Sequence, residues 1–124
     1  EVADVHEAGF DLIANRLSAS IERAREVRAW ILDRASDDRS LMGAVAYDFM
    51  MQMGYLLGGH LMAKEASRAQ ALLGSETDYG DPFLNAKIAT AHFYAEHYLP
   101  RAEQHAETLL TGLESVFTLT NDQF

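Results

Sequence analysis

No cysteine occurs in the chain, and that one absence removes disulfide frameworks, thiol nucleophiles and zinc–thiolate centres together. Proline is scarce: Pro82 and Pro100 are the only two, so helices can run long between them. Basic side chains are outnumbered, ten against nineteen carboxylates, and the resulting net charge of −9 argues against nucleic-acid binding, which runs on phosphate neutralisation. The N-terminus has neither the basic nor the apolar region of a secretory leader. It also lacks a starting Met, and Glu1-Val2-Ala3-Asp4 reads as interior sequence, so a fragment of a longer chain is expected.

What is present is helical period. In the first segment Phe10, Ile13, Leu17, Ile21, Ala24, Val27 and Ile31 recur at steps of three or four, which lays one apolar seam along a helix. Leu84, Ile88, Ala91, Ala95, Tyr98 and Ala102 do the same in the third, and Leu109, Leu113 and Val116 extend the stripe. Two breaks divide the chain. Ala35-Ser36-Asp37-Asp38-Arg39 offers Ser and Asp side chains for an N-cap, and Gly74 to Pro82 offers Gly at a helix end and Asp-Pro at the next start. The pattern predicts a single all-α domain over 1–124, with helices at about 4–35, 37–73 and 82–117, packed as an up-down bundle of three long antiparallel helices. Pro100 is expected to kink the third, or to split it and make four. Arg23 with Glu26, and Glu22 with Arg25, lie three apart and read as salt-bridged pairs on a solvated face.

The second segment is apolar nearly all round. From Leu41 to Met62 only Asp48, Gln52 and His60 are strongly polar, which approaches a transmembrane helix in length and hydropathy. Asp48 and Gln52 would be costly at mid-bilayer, and the flanking charges show no inside-positive bias, so no membrane span is expected. The reading is a central helix buried by several neighbours. Gly54, Gly58 and Gly59 each cost about 1 kcal/mol of helix propensity against Ala. With Met62 they mark a candidate interface, where close backbone approach offsets that cost, either inside the bundle or against a surface outside it.

No reaction centre assembles from the remaining residues. No Glu has His three residues on, as di-iron bundles require, and His92 with Glu96 at i, i+4 falls short of a zinc ligand set. No serine stands in Gly-x-Ser-x-Gly, and Gly58-Gly59 lies within a helical pattern rather than in a phosphate-binding loop. Catalytic, metal and cofactor-binding residues are therefore read as none in this segment. Met50, Met51, Met53 and Met62 with Phe49 and Tyr55 are read as core, with an apolar ligand pocket as the sharper alternative.

Lys87-Ile88-Ala89-Thr90-Ala91-His92-Phe93-Tyr94-Ala95-Glu96-His97-Tyr98-Leu99-Pro100 resembles the signature of the extra C-terminal domain of acyl-CoA dehydrogenases of the 3-methylmercaptopropionyl-CoA dehydrogenase-like group. Gly54 followed by Gly58-Gly59-His60-Leu61-Met62-Ala63 is similar to that domain's Gly-rich stretch, and Asp122-Gln123-Phe124 to its ending. His92 stands where the family pattern carries Arg, so no role is carried over to it. The resemblance implies a cytoplasmic flavoenzyme parent that oxidises an acyl-CoA thioester with FAD, the catalytic body lying N-terminal to this segment. The segment itself is then an accessory domain that packs against the catalytic domains or another subunit, with a homo-oligomer expected. A free-standing helical module that binds an apolar partner or ligand through its Gly/Met-rich helix is the alternative.

Overall fold

Each break in the apolar pattern becomes a turn in the computed structural model of the chain, which describes the backbone of residues 2–124 and side chains from Gly9 onward. Helix α1 spans Val2–Ala35, α2 Ser40–Leu72, α3 Asp81–His97 and α4 Leu99–Thr111. A single turn, α5, follows at Leu113–Val116, and a 3₁₀ turn at Asn121–Gln123. Among the described residues there is no strand.

Helix α2 begins at Ser40, three residues later than the pattern predicts, because Asp38 has a better use as a cap. Its Oδ1 accepts the Ser40 N–H at 2.9 Å as well as the Ser40 hydroxyl. Arg39 already has helical dihedrals (φ −67°, ψ −27°), so the capping falls to Asp38. The Ser40 hydroxyl, and then its N–H, hold the Asp38 carboxyl below its ordinary value. A depressed carboxylate stabilises the fold above the unfolded-state value, about pH 4, and that contribution fades as pH falls through the lower folded value. Asp38→Ala is therefore expected to lower the melting temperature at neutral pH, with the gap to the parent closing in acid. A gap that stays constant from pH 7 to pH 2 in thermal melts would remove the carboxylate from the account.

At the other end of α2, Gly74 takes φ +75°, the left-handed conformation that only Gly adopts without strain. Its N–H reaches Asp81 Oδ1 at 3.3 Å, tying the helix end to the start of α3 across the loop. Pro82 sits in the first turn of α3, where its missing N–H costs nothing.

The third helix expected over 82–117 takes the split form given as the alternative, two helices followed by a turn, rather than the kinked one. The break lies at Tyr98, two residues before Pro100. Proline removes the N–H that would bond the Glu96 carbonyl and crowds that same oxygen. Arg16 on α1 fills the gap: its Nη1 donates to the Ala95 carbonyl at 3.1 Å and to the Glu96 carbonyl at 3.4 Å. Helix α4 then restarts with Pro100 in its first turn. A second interruption at Gly112 ends α4 short of the expected Phe117.

Two buried clusters hold the helices together. Ile13 of α1, Ala66 and Ala69 of α2, and Leu84, Ile88, Ala91 and Ala95 of α3 form one. Val27 and Ile31 of α1, Leu41 and Val45 of α2, and Ala106 and Leu109 of α4 form the other. So α3 lies along the C-terminal half of α2, and α4 along its N-terminal half. Alanine is frequent at these contacts, which brings the helix axes close. The anticipated charge pairs form on the outside: Arg23 to Glu26 at 2.9 Å and Arg25 to Glu22 at 2.5 Å, with Arg23 also reaching Glu103 on α4 at 3.0 Å.

Candidate functional site

Helix α2 is not covered all round by its own chain, which corrects the expected central burial. Helices α1, α3 and α4 take one side only, where Leu41, Val45, Gln52, Gly59, Ala66 and Ala69 are buried. The opposite side carries Met42, Tyr47, Met50, Met53, Leu57 and Leu61, each at least 40% exposed. At 100° per residue, Met50, Met53, Leu57 and Leu61 share one face of the helix. Leu32 of α1, also exposed, joins Arg28, Met42, Ala46 and Met50 in lining a shallow apolar groove of about 320 Å³.

The four candidate interface residues fall on different sides of α2. Gly58 lies under Tyr94: a Cβ there would come within 2.3 Å of the Tyr94 hydroxyl. That hydroxyl donates to the Tyr55 carbonyl at 2.9 Å. Desolvation raises the Tyr94 phenol above its ordinary value, with the nearby Tyr55 adding to the effect. Gly59 faces Leu99, where a Cβ would meet Cδ1 at 2.9 Å. Met62 is half-buried against the cluster around Ile88. The close approach at these three residues is thus to α1, α3 and α4 of the same chain. Gly54 points the other way, onto the exposed face, and has nothing within 4 Å of a built Cβ. Gly43, which sequence reasoning passed over, is in the same situation about three helix turns earlier.

One polar constellation also went unread. Asp48 Oδ1 lies 2.8 Å from His105 Nδ1, joining α2 to α4. Tyr55 stacks on the imidazole at 5.9 Å between centroids, and Tyr47 meets it edge-on at 5.8 Å. An acid inside the apolar run Leu41–Met62 required a partner, which was the available signal. Its partner stands 57 residues away, beyond any local spacing rule. The pair fixes the orientation of the imidazole and fastens two helices.

His92 and Glu96, the partial metal pair of the sequence, are 3.7 Å apart on the outer side of α3, with His97 equally far from the other Glu96 oxygen. Among the described residues no group of three or more His, Asp or Glu gathers to hold a metal ion. Nor is any described helix long and apolar enough to cross a membrane. A flavin dinucleotide would need a site for its pyrophosphate, for which helix N-termini are the natural place. Asp38, just before α2, and Asp81, in the first turn of α3, already place carboxylates at these two helix starts, each engaged by a backbone N–H, and a second anion there would be repelled. Neither of these two helix starts is free to take the pyrophosphate.

Together these features define an all-helical domain with one bare apolar helix face. The chain belongs to the family described as acetyl-CoA dehydrogenase C-terminal like, which matches residues 1–120. No curated protein and no solved structure matches it.

Proposed function

We propose that this chain is the C-terminal accessory domain of a cytoplasmic, FAD-dependent acyl-CoA dehydrogenase of the 3-methylmercaptopropionyl-CoA dehydrogenase-like group. Its task is association, against the catalytic domains or another subunit of a homo-oligomer, and the FAD and acyl-CoA chemistry belongs to the body of the parent enzyme. Family membership supports the parent. The observation that carries the role is the row of exposed Met and Leu side chains on α2. Apolar side chains scattered singly on a surface are ordinary, whereas a contiguous row marks a contact surface. Gly43 and Gly54 add to it, since each lowers helix propensity with no compensating contact inside the chain.

The test is made on the full reading frame. Upstream of Glu1 it should encode an FAD-binding acyl-CoA dehydrogenase body. In that full-length protein Leu57→Asp should leave flavin content unchanged while weakening assembly, read as a smaller particle in size-exclusion chromatography with light scattering. An upstream frame of another kind, or an assembly indifferent to the charge, would defeat the proposal.

A further inference from the structure

We infer that the cavity between the C-terminal end of α2 and the first turns of α3 is a binding site for a small aromatic monocarboxylate. The site is separate from the apolar face of α2, and it does not depend on the identity of the parent enzyme.

The cavity encloses about 310 Å³, at the lower end of the range for small-molecule sites. Its floor is apolar: Ala69 of α2 and Leu84 of α3 are buried members of one core cluster, and Leu72 packs beside them. One wall is aromatic. Tyr79 of the loop and Phe83 of the first turn of α3 stack at 5.2 Å between centroids, with 17° between their planes. Each keeps about half of its surface in water. The loop is braced where Tyr79 leaves it. The Tyr79 N–H donates to Thr77 Oγ1 at 3.1 Å, and the Thr77 hydroxyl donates to the Tyr79 carbonyl at 2.8 Å. The bond from the Gly74 N–H to Asp81 ties the two ends of the loop together. Two aromatic rings held half in water add little to the core, but they give the apolar floor a flat side wall.

The rim supplies the charge. Glu65 and Arg68 lie three apart on α2, a spacing at which they could pair with each other. Glu65 instead reaches across to Lys87 of α3 at 3.3 Å, and Lys87 also stands 5.5 Å from the centre of the Phe83 ring. Arg68 is left at the rim with no carboxylate in ion-pair reach among the described residues. Two cations and one carboxylate leave the rim with a single positive charge.

These features select the ligand. A guanidinium presents parallel N–H donors that match a carboxylate or a phosphate. One surplus charge suits a carboxylate. A phosphate dianion or a polyphosphate would meet Glu65 and the field of a chain whose net charge is −9. The floor and wall select the body, a flat ring that covers Leu72 and Leu84 and lies offset against an aromatic neighbour. A ligand this small in an open cavity binds weakly, with a Kd of about a millimolar.

The probe is 2-naphthoate, followed in amide proton–nitrogen correlation spectra of the chain. Shifts should saturate at Ala69, Leu72, Phe83 and Leu84, while the amides of α4 stay in place. 2-Naphthol, which keeps the ring without the charge, and acetate, which keeps the charge without the ring, should each bind less tightly. 2-Naphthyl phosphate should bind no better than the carboxylate. Arg68→Gln should weaken naphthoate about tenfold, the loss of one charged hydrogen-bonding partner. It should leave naphthol binding and the melting curve unchanged, because Arg68 has no ion-pair partner within the chain. Phe83→Leu should weaken naphthoate and naphthol alike. The inference is overturned by shifts that do not saturate or that scatter over the whole surface, by an Arg68→Gln chain that binds naphthoate as well as the parent, or by a phosphate that binds more tightly than the carboxylate.

Discussion

Gly59→Leu is expected to cost about 3 kcal/mol of folding stability, the upper end of the usual range for overpacking a close helix contact. A Cβ at this position already comes within 2.9 Å of Leu99 Cδ1 and 3.6 Å of Leu17 Cδ1, and the remaining carbons of a leucine would have to enter the same space. Leu99 cannot readily retreat: it is buried at the start of α4, just beyond the break at Tyr98. Gly59→Ala should lose less, because better helix propensity returns up to about 1 kcal/mol. Adding Leu99→Ala to Gly59→Ala should cost less than the two single losses combined, since the methyl enters the space that the leucine leaves. At Gly58 the obstacle is the far end of Tyr94, which can swing aside at the loss of one hydrogen bond to Tyr55, about 1 kcal/mol. Gly58→Ala should therefore come out near neutral. On the open face the sign reverses, and Gly43→Ala and Gly54→Ala should each stabilise the chain by about 0.5–1 kcal/mol. Urea unfolding followed by far-UV circular dichroism gives all of these. A Gly59→Leu chain as stable as the parent would refute the close contact.

Gln52→Met is expected to raise stability by about 1–3 kcal/mol, the cost of leaving a buried polar group without a hydrogen bond. Gln52 is 1% exposed, and its Oε1 has no partner. Met keeps the length of the side chain and removes the orphaned oxygen. Gln52→Ala should move stability the other way, because the space it opens lies in a closely packed interior. The opposed signs make the pair decisive: if Met also destabilises, the amide is being satisfied and the account of Gln52 fails. Along α2 this residue stands between Leu41 and Val45 of one cluster and Ala66 and Ala69 of the other. A polar layer between two apolar ones can fix helix register at a cost in stability.

Much of this architecture can be read from residue order. The period of Ile13, Ala24, Val27 and Ile31 places α1's buried side, Gly74 and Asp81-Pro82 mark the second turn, and the three-apart charges find one another. The break at Tyr98 cannot be read that way. Ala91, Ala95, Leu99, Ala102, Ala106 and Leu109 keep their three- and four-residue steps straight through it, all of them buried. Tyr98, taken as part of the stripe, is 37% exposed, and Leu99 holds the inward place. Pro100 announces a disturbance, but where the helix gives way depends on Arg16, more than eighty residues earlier, being there to take the loose carbonyls. The open side of α2 was hidden for a different reason. Hydropathy reports that a side chain should leave water, and is silent on whether its own chain or another molecule provides the cover. Asp48 and His105 meet only once α4 has been laid along α2.

The interruption at Tyr98 also divides the chain's energetics. Helix α3 belongs to one buried cluster and α4 to the other, and a single non-helical residue, with a proline close behind it, is all that links them. Helical cooperativity propagates through successive backbone hydrogen bonds and is weakest where that ladder is cut. The two ends of the molecule are therefore separate units of partial opening, coupled chiefly through the unbroken lengths of α1 and α2. A partner that grips the middle of α2 holds one of the two elements that both units share, so binding there raises the protection of each against exchange with solvent without touching α3 or α4.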